Sequence, residues 1–155
     1  MDIQITSLAE HPEWVEWVAD EHFREWGALH PSTTLAGWLA DRRGTLKDRI
    51  PITLLAVHSS QPIATAGLVQ CDMDSHPELS PWLSGVYVTP AWRGRGVGAI
   101  IVNAATRQAA EWGVRRLYLH TETAQPFYER LGWRSIGSEL FCGLPSVIME
   151  RDPGL

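Results

Sequence analysis

Thiols are scarce, with Cys71 and Cys142 the two cysteines among 155 residues. They are too few and too far apart for a zinc site or a disulfide framework. Two free thiols in an acidic chain fit a reducing compartment, so a cytoplasmic location is expected. Metal spacing is also missing: the six histidines form no His-x-x-x-His or similar pattern, and no metal is expected. Long apolar runs are absent, and a stretch such as residues 99–102 falls far short of a bilayer crossing. The start, Met1-Asp2-Ile3-Gln4-Ile5, has neither a basic flank nor an apolar core, so no signal peptide is expected. Positive charge is in deficit, with a formal net charge of −5. That argues against sequence-independent binding to nucleic acid or anionic membrane and mildly favours cationic partners such as amines.

What is present reads as one ordinary domain, residues 1–155. Hydrophobic residues make up 45% and charged residues 20%, so neither disorder nor a fibrous protein is indicated. The length is enough to bury a sizeable core. Four of the eight tryptophans, Trp14, Trp17, Trp26 and Trp38, fall in the first quarter. They read either as bulky core or as an aromatic-lined face.

Periodicity orders the elements. Ile3 and Ile5 alternate with polar residues in a short strand. Pro12 opens a helix carrying Trp14, Val15, Val18, Phe23 and Trp26, and Gly27 ends it. Ser32-Thr33-Thr34 supplies cap residues for a second helix with Leu35, Trp38, Leu39 and Leu46. Residues 52–58 and 63–71 read as a hairpin around a turn at 59–62. After a polar loop at 72–81 comes a strand at 82–88, closed by Thr89-Pro90. An alanine-rich helix spans about 98–112, followed by a strand at 116–120, a helix at 124–131, and strands at 133–138 and 145–150. A helix between two strands makes the middle crossover parallel and the hairpins antiparallel, so the sheet is mixed and the class is α/β.

The chemistry concentrates in Val86-Tyr87-Val88-Thr89-Pro90-Ala91-Trp92-Arg93-Gly94-Arg95-Gly96-Val97-Gly98-Ala99. Alternate glycines before a helix expose backbone N–H groups at the positive end of its dipole, which makes a cradle for a pyrophosphate, and Arg93 and Arg95 add charge. A Walker A loop fails for want of a lysine after the glycines. A dinucleotide fingerprint is formally met by Gly94, Gly96 and Ala99, but it belongs directly after a strand, early in a doubly wound sheet. A glycine turn that merely packs tightly is the third reading.

The fourth is a resemblance. Arg93-x-x-Gly96-x-Gly98 resembles the Arg/Gln-x-x-Gly-x-Gly/Ala signature of the GNAT superfamily of N-acetyltransferases. Ala124-Gln125-Pro126-Phe127-Tyr128-Glu129-Arg130-Leu131-Gly132-Trp133 looks like a second recurrent block of that family, with Trp133 where phenylalanine is usual. The likeness runs from about Trp82 to Ser138. It implies a GNAT-like acyl-CoA N-acyltransferase fold: strand, two helices, three strands, helix, strand, helix, two strands.

The resemblance implies an acetyl-CoA-dependent N-acetyltransferase that passes acetyl directly to a primary amine, on a small molecule or a peptide. A non-catalytic acyl-CoA sensor on the same fold is the alternative, and a homodimer is compatible with the family. Val86, Tyr87 and Val88 would pair with the pantetheine arm, one N–H near Tyr87 or Val88 polarising the thioester carbonyl. The turn from Arg93 through Gly94, Arg95, Gly96, Val97 and Gly98 to Ala99 would hold the pyrophosphate. Thr121 stands where an asparagine often helps to hold the cofactor. Tyr128 would act as general acid, since a phenol of pKa about 10 can serve a leaving thiolate of pKa about 8.5. Glu78 and His120 are the candidate bases for the amine. Asp72, Asp74 and Glu78, with the four early tryptophans, are expected on the acceptor side, and Cys71 and Cys142 are expected to be inert.

Overall fold

The structure, a computed structural model, describes residues 2–155. Its elements follow the expected order: β1 (Gln4–Ser7), α1 (Val15–Trp26), α2 (Leu35–Arg43), β2 (Ile52–His58), β3 (Gln61–Val69), β4 (Trp82–Val88), α3 (Val97–Glu111), β5 (Leu117–Thr121), α4 (Gln125–Arg130), β6 (Arg134–Phe141) and β7 (Leu144–Arg151). The strands form one seven-stranded sheet in the order β1-β2-β3-β4-β5-β7-β6. Every neighbouring pair is antiparallel except β4 and β5, which α3 connects in parallel.

Alternation along β2 feeds two cores. Leu54 and Ala56 face α3, whose Ile101, Val102 and Ala105 are fully buried against them, while Leu55 and Val57 face α1 and meet Val15 and Val18. The sheet is therefore covered on both sides. The buried stripe of α1 is Val15, Val18, Ala19 and His22, a helical spacing that ends in a histidine. α2 starts where Thr34 caps it, Oγ1 accepting the N–H of Gly37 at 3.1 Å, yet it buries none of its residues. Leu46, expected on α2, lies beyond it and bridges to Ile52.

One expected turn is corrected. Gln61 and Pro62 belong to β3, paired with His58 and Val57, and the chain reverses at Ser59-Ser60, both with positive φ. Pro62 stands beside a ladder irregularity at Ala56/Val57, the kind of place where a sheet accommodates proline.

Two irregularities of β4 shape the site. Its parallel pairing with β5 consists of a single rung, Trp82 with Tyr118, beyond which the strands part. On its other side, Thr65 pairs with Tyr87 but Gly67 with Ser84, so β4 carries one residue more than β3 and bulges at Gly85, φ +61°.

Candidate functional site

Where β4 and β5 part lies a cavity of about 760 Å³, walled by Leu83–Val86, by residues 119–124, by Tyr128, and by side chains of α1 and α2. Among the residues singled out by sequence, Val86, His120, Thr121 and Tyr128 line it together. Tyr87, Val88 and the glycine turn lie outside that lining, at the end of β4.

The glycine turn is shaped by backbone need rather than by packing. Gly94 and Gly96 have φ of +74° and +84°, and a Cβ at either would meet nothing within 4 Å. Tight packing explains neither. Gly96 caps α3 without a side-chain hydrogen bond, so the first N–H groups of α3 have no partner within the helix. Gly98 is different: a Cβ there would come within 3.3 Å of Phe127 Cζ, so its absence lets the start of α3 lie against α4. Arg93 folds back, Nε donating to Val88 O at 2.8 Å, and Arg95 stacks over Trp92. Arg93 thus fixes the turn to the strand.

The outward-facing groups of β4 can be read from its ladder. Thr89 N donates to Ile63 O at 2.9 Å, so in an antiparallel pair Tyr87 also faces β3 with its N–H and C=O, while Val86 and Val88 face away. The Tyr87 ring is buried and its hydroxyl donates to Glu21 Oε2 at 2.5 Å. Burial, then that carboxylate, pushes the Tyr87 phenol up to about 12. Tyr87 braces β4 against α1.

Tyr128 sits on α4, which starts where Thr121 Oγ1 accepts the N–H of Ala124 at 3.0 Å. Thr121 therefore spends an acceptor on positioning the helix. Burial first, then the nearby Glu122, pushes the Tyr128 phenol above its ordinary range.

His120 is held at both nitrogens. Nε2 lies 3.0 Å from Asp72 Oδ2 and Nδ1 lies 3.1 Å from Ser146 Oγ. Asp72 also accepts a hydrogen bond from Ser84 at 3.2 Å and lines the cavity. Glu78 stands apart from that lining, on the exposed loop, bonded to His76 at 2.9 Å. His76 also pairs with Glu139. Its hydrogen bonds hold Glu78 below the ordinary carboxylate range and, from Glu78 first and then Glu139, raise His76.

The acceptor side separates the tryptophans. Trp26 and Trp38 line the cavity, whereas Trp14 and Trp17 pack on the core between α1 and β2. Asp74 does not reach the lining, but Asp72 is joined there by Glu25, Asp41 and Glu122. Sequence reasoning missed these, and also His22 and Arg42. Only the spacing of His22 on the apolar stripe of α1 hinted at burial. His22 is 2% exposed, and burial, then the charge of Arg42, pushes its pKa down to about 3. Among the described residues no group of metal-ligating side chains is assembled, and no helix is long and apolar enough to cross a membrane.

The profile of the acetyltransferase (GNAT) family matches residues 11–133. An uncharacterized N-acetyltransferase of Mycobacterium tuberculosis (strain H37Rv) is 30% identical over 129 residues, covering 80% of this chain and 75% of that one. A protein of Bacillus subtilis (strain 168), provisionally named an acetyltransferase, is 32% identical over 100 residues, 63% of this chain and 64% of its own length. Among solved structures, an aminoglycoside 6′-N-acetyltransferase complexed with coenzyme A superposes with a TM-score of 0.77 at 16% identity, covering 99% of this chain and 97% of that one. This similarity is one of fold. With the glycine turn, the parted strands and the profile match in agreement, the chain belongs to the GNAT acetyltransferase family.

Proposed function

We propose that the protein is an N-acetyltransferase using acetyl-CoA as co-substrate and a primary amine as acceptor. The observation that carries this reading is the single-rung junction of β4 and β5 beside a helix start whose first N–H groups have no side-chain cap. The residues fit the coenzyme: outward-facing backbone on β4 suits an extended amide-bearing arm, and the open N–H groups at Gly96–Ala99 suit a diphosphate. When bound, acetyl-CoA supplies an acetyl group activated as a thioester.

The chain's own groups then divide the work. Backbone N–H groups of β4 meet the carbonyl where negative charge develops. Tyr128, kept protonated by its burial, donates a hydrogen bond to the departing sulfur. An alkylamine with a pKa of about 10 arrives as an ammonium ion and must lose a proton before attack. The Asp72–His120 pair takes that proton, a role for which Glu78, outside the lining, is badly placed. Glu25, Asp41 and Glu122 give the acceptor side its preference for cations, and Trp26 and Trp38 give it apolar surface.

The test is acetyl-dependent thiol release with a panel of amines, including the aminoglycosides named for a structural neighbour, for the wild type and Tyr128→Phe. Turnover with at least one amine, reduced in the variant, is expected. Coenzyme binding without turnover on any amine would instead support a non-catalytic sensor.

A further inference from the structure

A chain of hydrogen bonds runs from α2 through α1 and β3 to the bulge of β4. Arg42 Nε donates to His22 Nδ1 at 3.0 Å. A guanidinium has no acceptor, so Nδ1 is unprotonated and the ring proton sits on Nε2. Nε2 lies 2.8 Å from Thr65 Oγ1, which accepts it. The one hydroxyl proton of Thr65 then goes to Gly85 O at 2.7 Å. Each donor points the same way, from the cation toward the bulge.

The last acceptor matters most. The peptide joining Gly85 to Val86 is not among the cis bonds of the chain, so its C=O and N–H point in opposite directions. Since Thr65 draws the Gly85 carbonyl toward β3, the Val86 N–H is turned away from β3, toward the cavity that Gly85 and Val86 line. Gly85 makes that orientation possible with φ +61°. A hydrogen bond on a peptide carbonyl also strengthens its N–H as a donor, and an aligned chain headed by a cation adds to that polarisation.

We propose that His22 and Thr65 are positioning residues for acetyl transfer: by holding the Gly85 carbonyl, they aim the Val86 N–H at the carbonyl oxygen of the bound thioester. Arg42 fixes the tautomer that makes the chain run in this direction. The inference rests on the acetyl-transfer reading, and what it adds is the support that holds the β4 amide in place.

The experiment uses acetyl-CoA labelled with ¹³C at the thioester carbonyl, added without acceptor, and follows the carbonyl stretching band by difference infrared spectroscopy. In the wild type the band shifts to lower frequency on binding. Thr65→Val and His22→Leu break the chain and should lose at least half of that shift. Both should lower kcat by about tenfold to a hundredfold, less than the loss of a whole oxyanion donor, with coenzyme A affinity changed less than about threefold. Thr65→Ser and His22→Gln keep the donors and should retain both shift and kcat. An unchanged band in the broken variants would overturn the proposal, and so would coenzyme affinity falling in step with kcat. Failure of both broken variants to fold would make the chain a core prop and overturn it equally. A wild type that takes up no acetyl-CoA would instead sink the acetyl-transfer reading.

Discussion

His120 Nε2 and Asp72 Oδ2 meet at 3.0 Å, joining a ring on β5 to a carboxylate from the loop that follows β3. With the ring's other nitrogen on Ser146, the pair is fixed at the cavity wall. Asp72→Asn and His120→Gln should each lower kcat/KM for the amine by about 10²–10⁴, the usual span for a proton-transfer group. Coenzyme A affinity should hold. Glu78→Gln should leave the same kinetics unaltered, and a large loss there would move the base role back to that residue.

Tyr128→Phe removes a phenol that burial keeps protonated. The variant should bind coenzyme A normally and lose about 10²–10⁴ in kcat. Because the phenol is raised rather than lowered, the wild-type rate should show no fall attributable to its ionisation between neutral pH and about 10. Calorimetric titration and a pH–rate profile check both statements.

Gly96→Val places a β-branched residue at φ +84°. The left-handed conformation costs a side-chain-bearing residue about 1–2 kcal/mol, so the turn should relax away from its present shape. Coenzyme A dissociation constants should rise by about tenfold or more, since the open N–H groups of α3 depend on that shape. Equal affinity in variant and wild type would sink the assignment of the glycine turn.

His22 gives stability a pH dependence. Its folded pKa of about 3 lies below the ordinary 6.5, so between those values the unfolded chain takes up a proton that the folded chain refuses. Stability is therefore fully present above pH 6.5 and falls as the pH drops toward 3, by about 1.4 kcal/mol per unit for one proton. Urea titrations between pH 4 and 7 should show this slope in the wild type and a shallower one in His22→Gln. Glu78 and Glu139, held low by their hydrogen bonds, add to the acid loss in both proteins and cancel in the comparison.

The order of elements was legible because their periods differ and glycine or proline marks most boundaries. The turn at Ser59-Ser60 was not, since serine carries no local signal for positive φ and Gln61-Pro62 is the stronger turn cue. The glycine turn announced itself through Gly94 and Gly96, whose positive φ a side chain would resist, and Gly98, where a Cβ would crowd Phe127. The acceptor side stayed hidden for another reason. Which carboxylates face the cavity depends on how α1 and α2 lie on the sheet, and Trp14 resembles Trp26 in sequence while one is core and the other cavity wall. Asp72 and His120 come from separate elements, and nothing local pairs them. Arg42 and His22 meet only through the packing of α2, which buries none of its residues, against α1.

The lone rung between Trp82 and Tyr118 has a mechanical consequence. The backbone bonds linking β1–β4 to β5–β7 are concentrated at one point, and that point carries a fully buried tryptophan whose indole is tied to Leu79 O at 2.7 Å. The two halves of the sheet thus share a pivot, with α3 as the strap that limits their spread. A guest lying in the gap would stitch them together, so its arrival should slow amide exchange on both flanking strands at once, even at positions that it never touches.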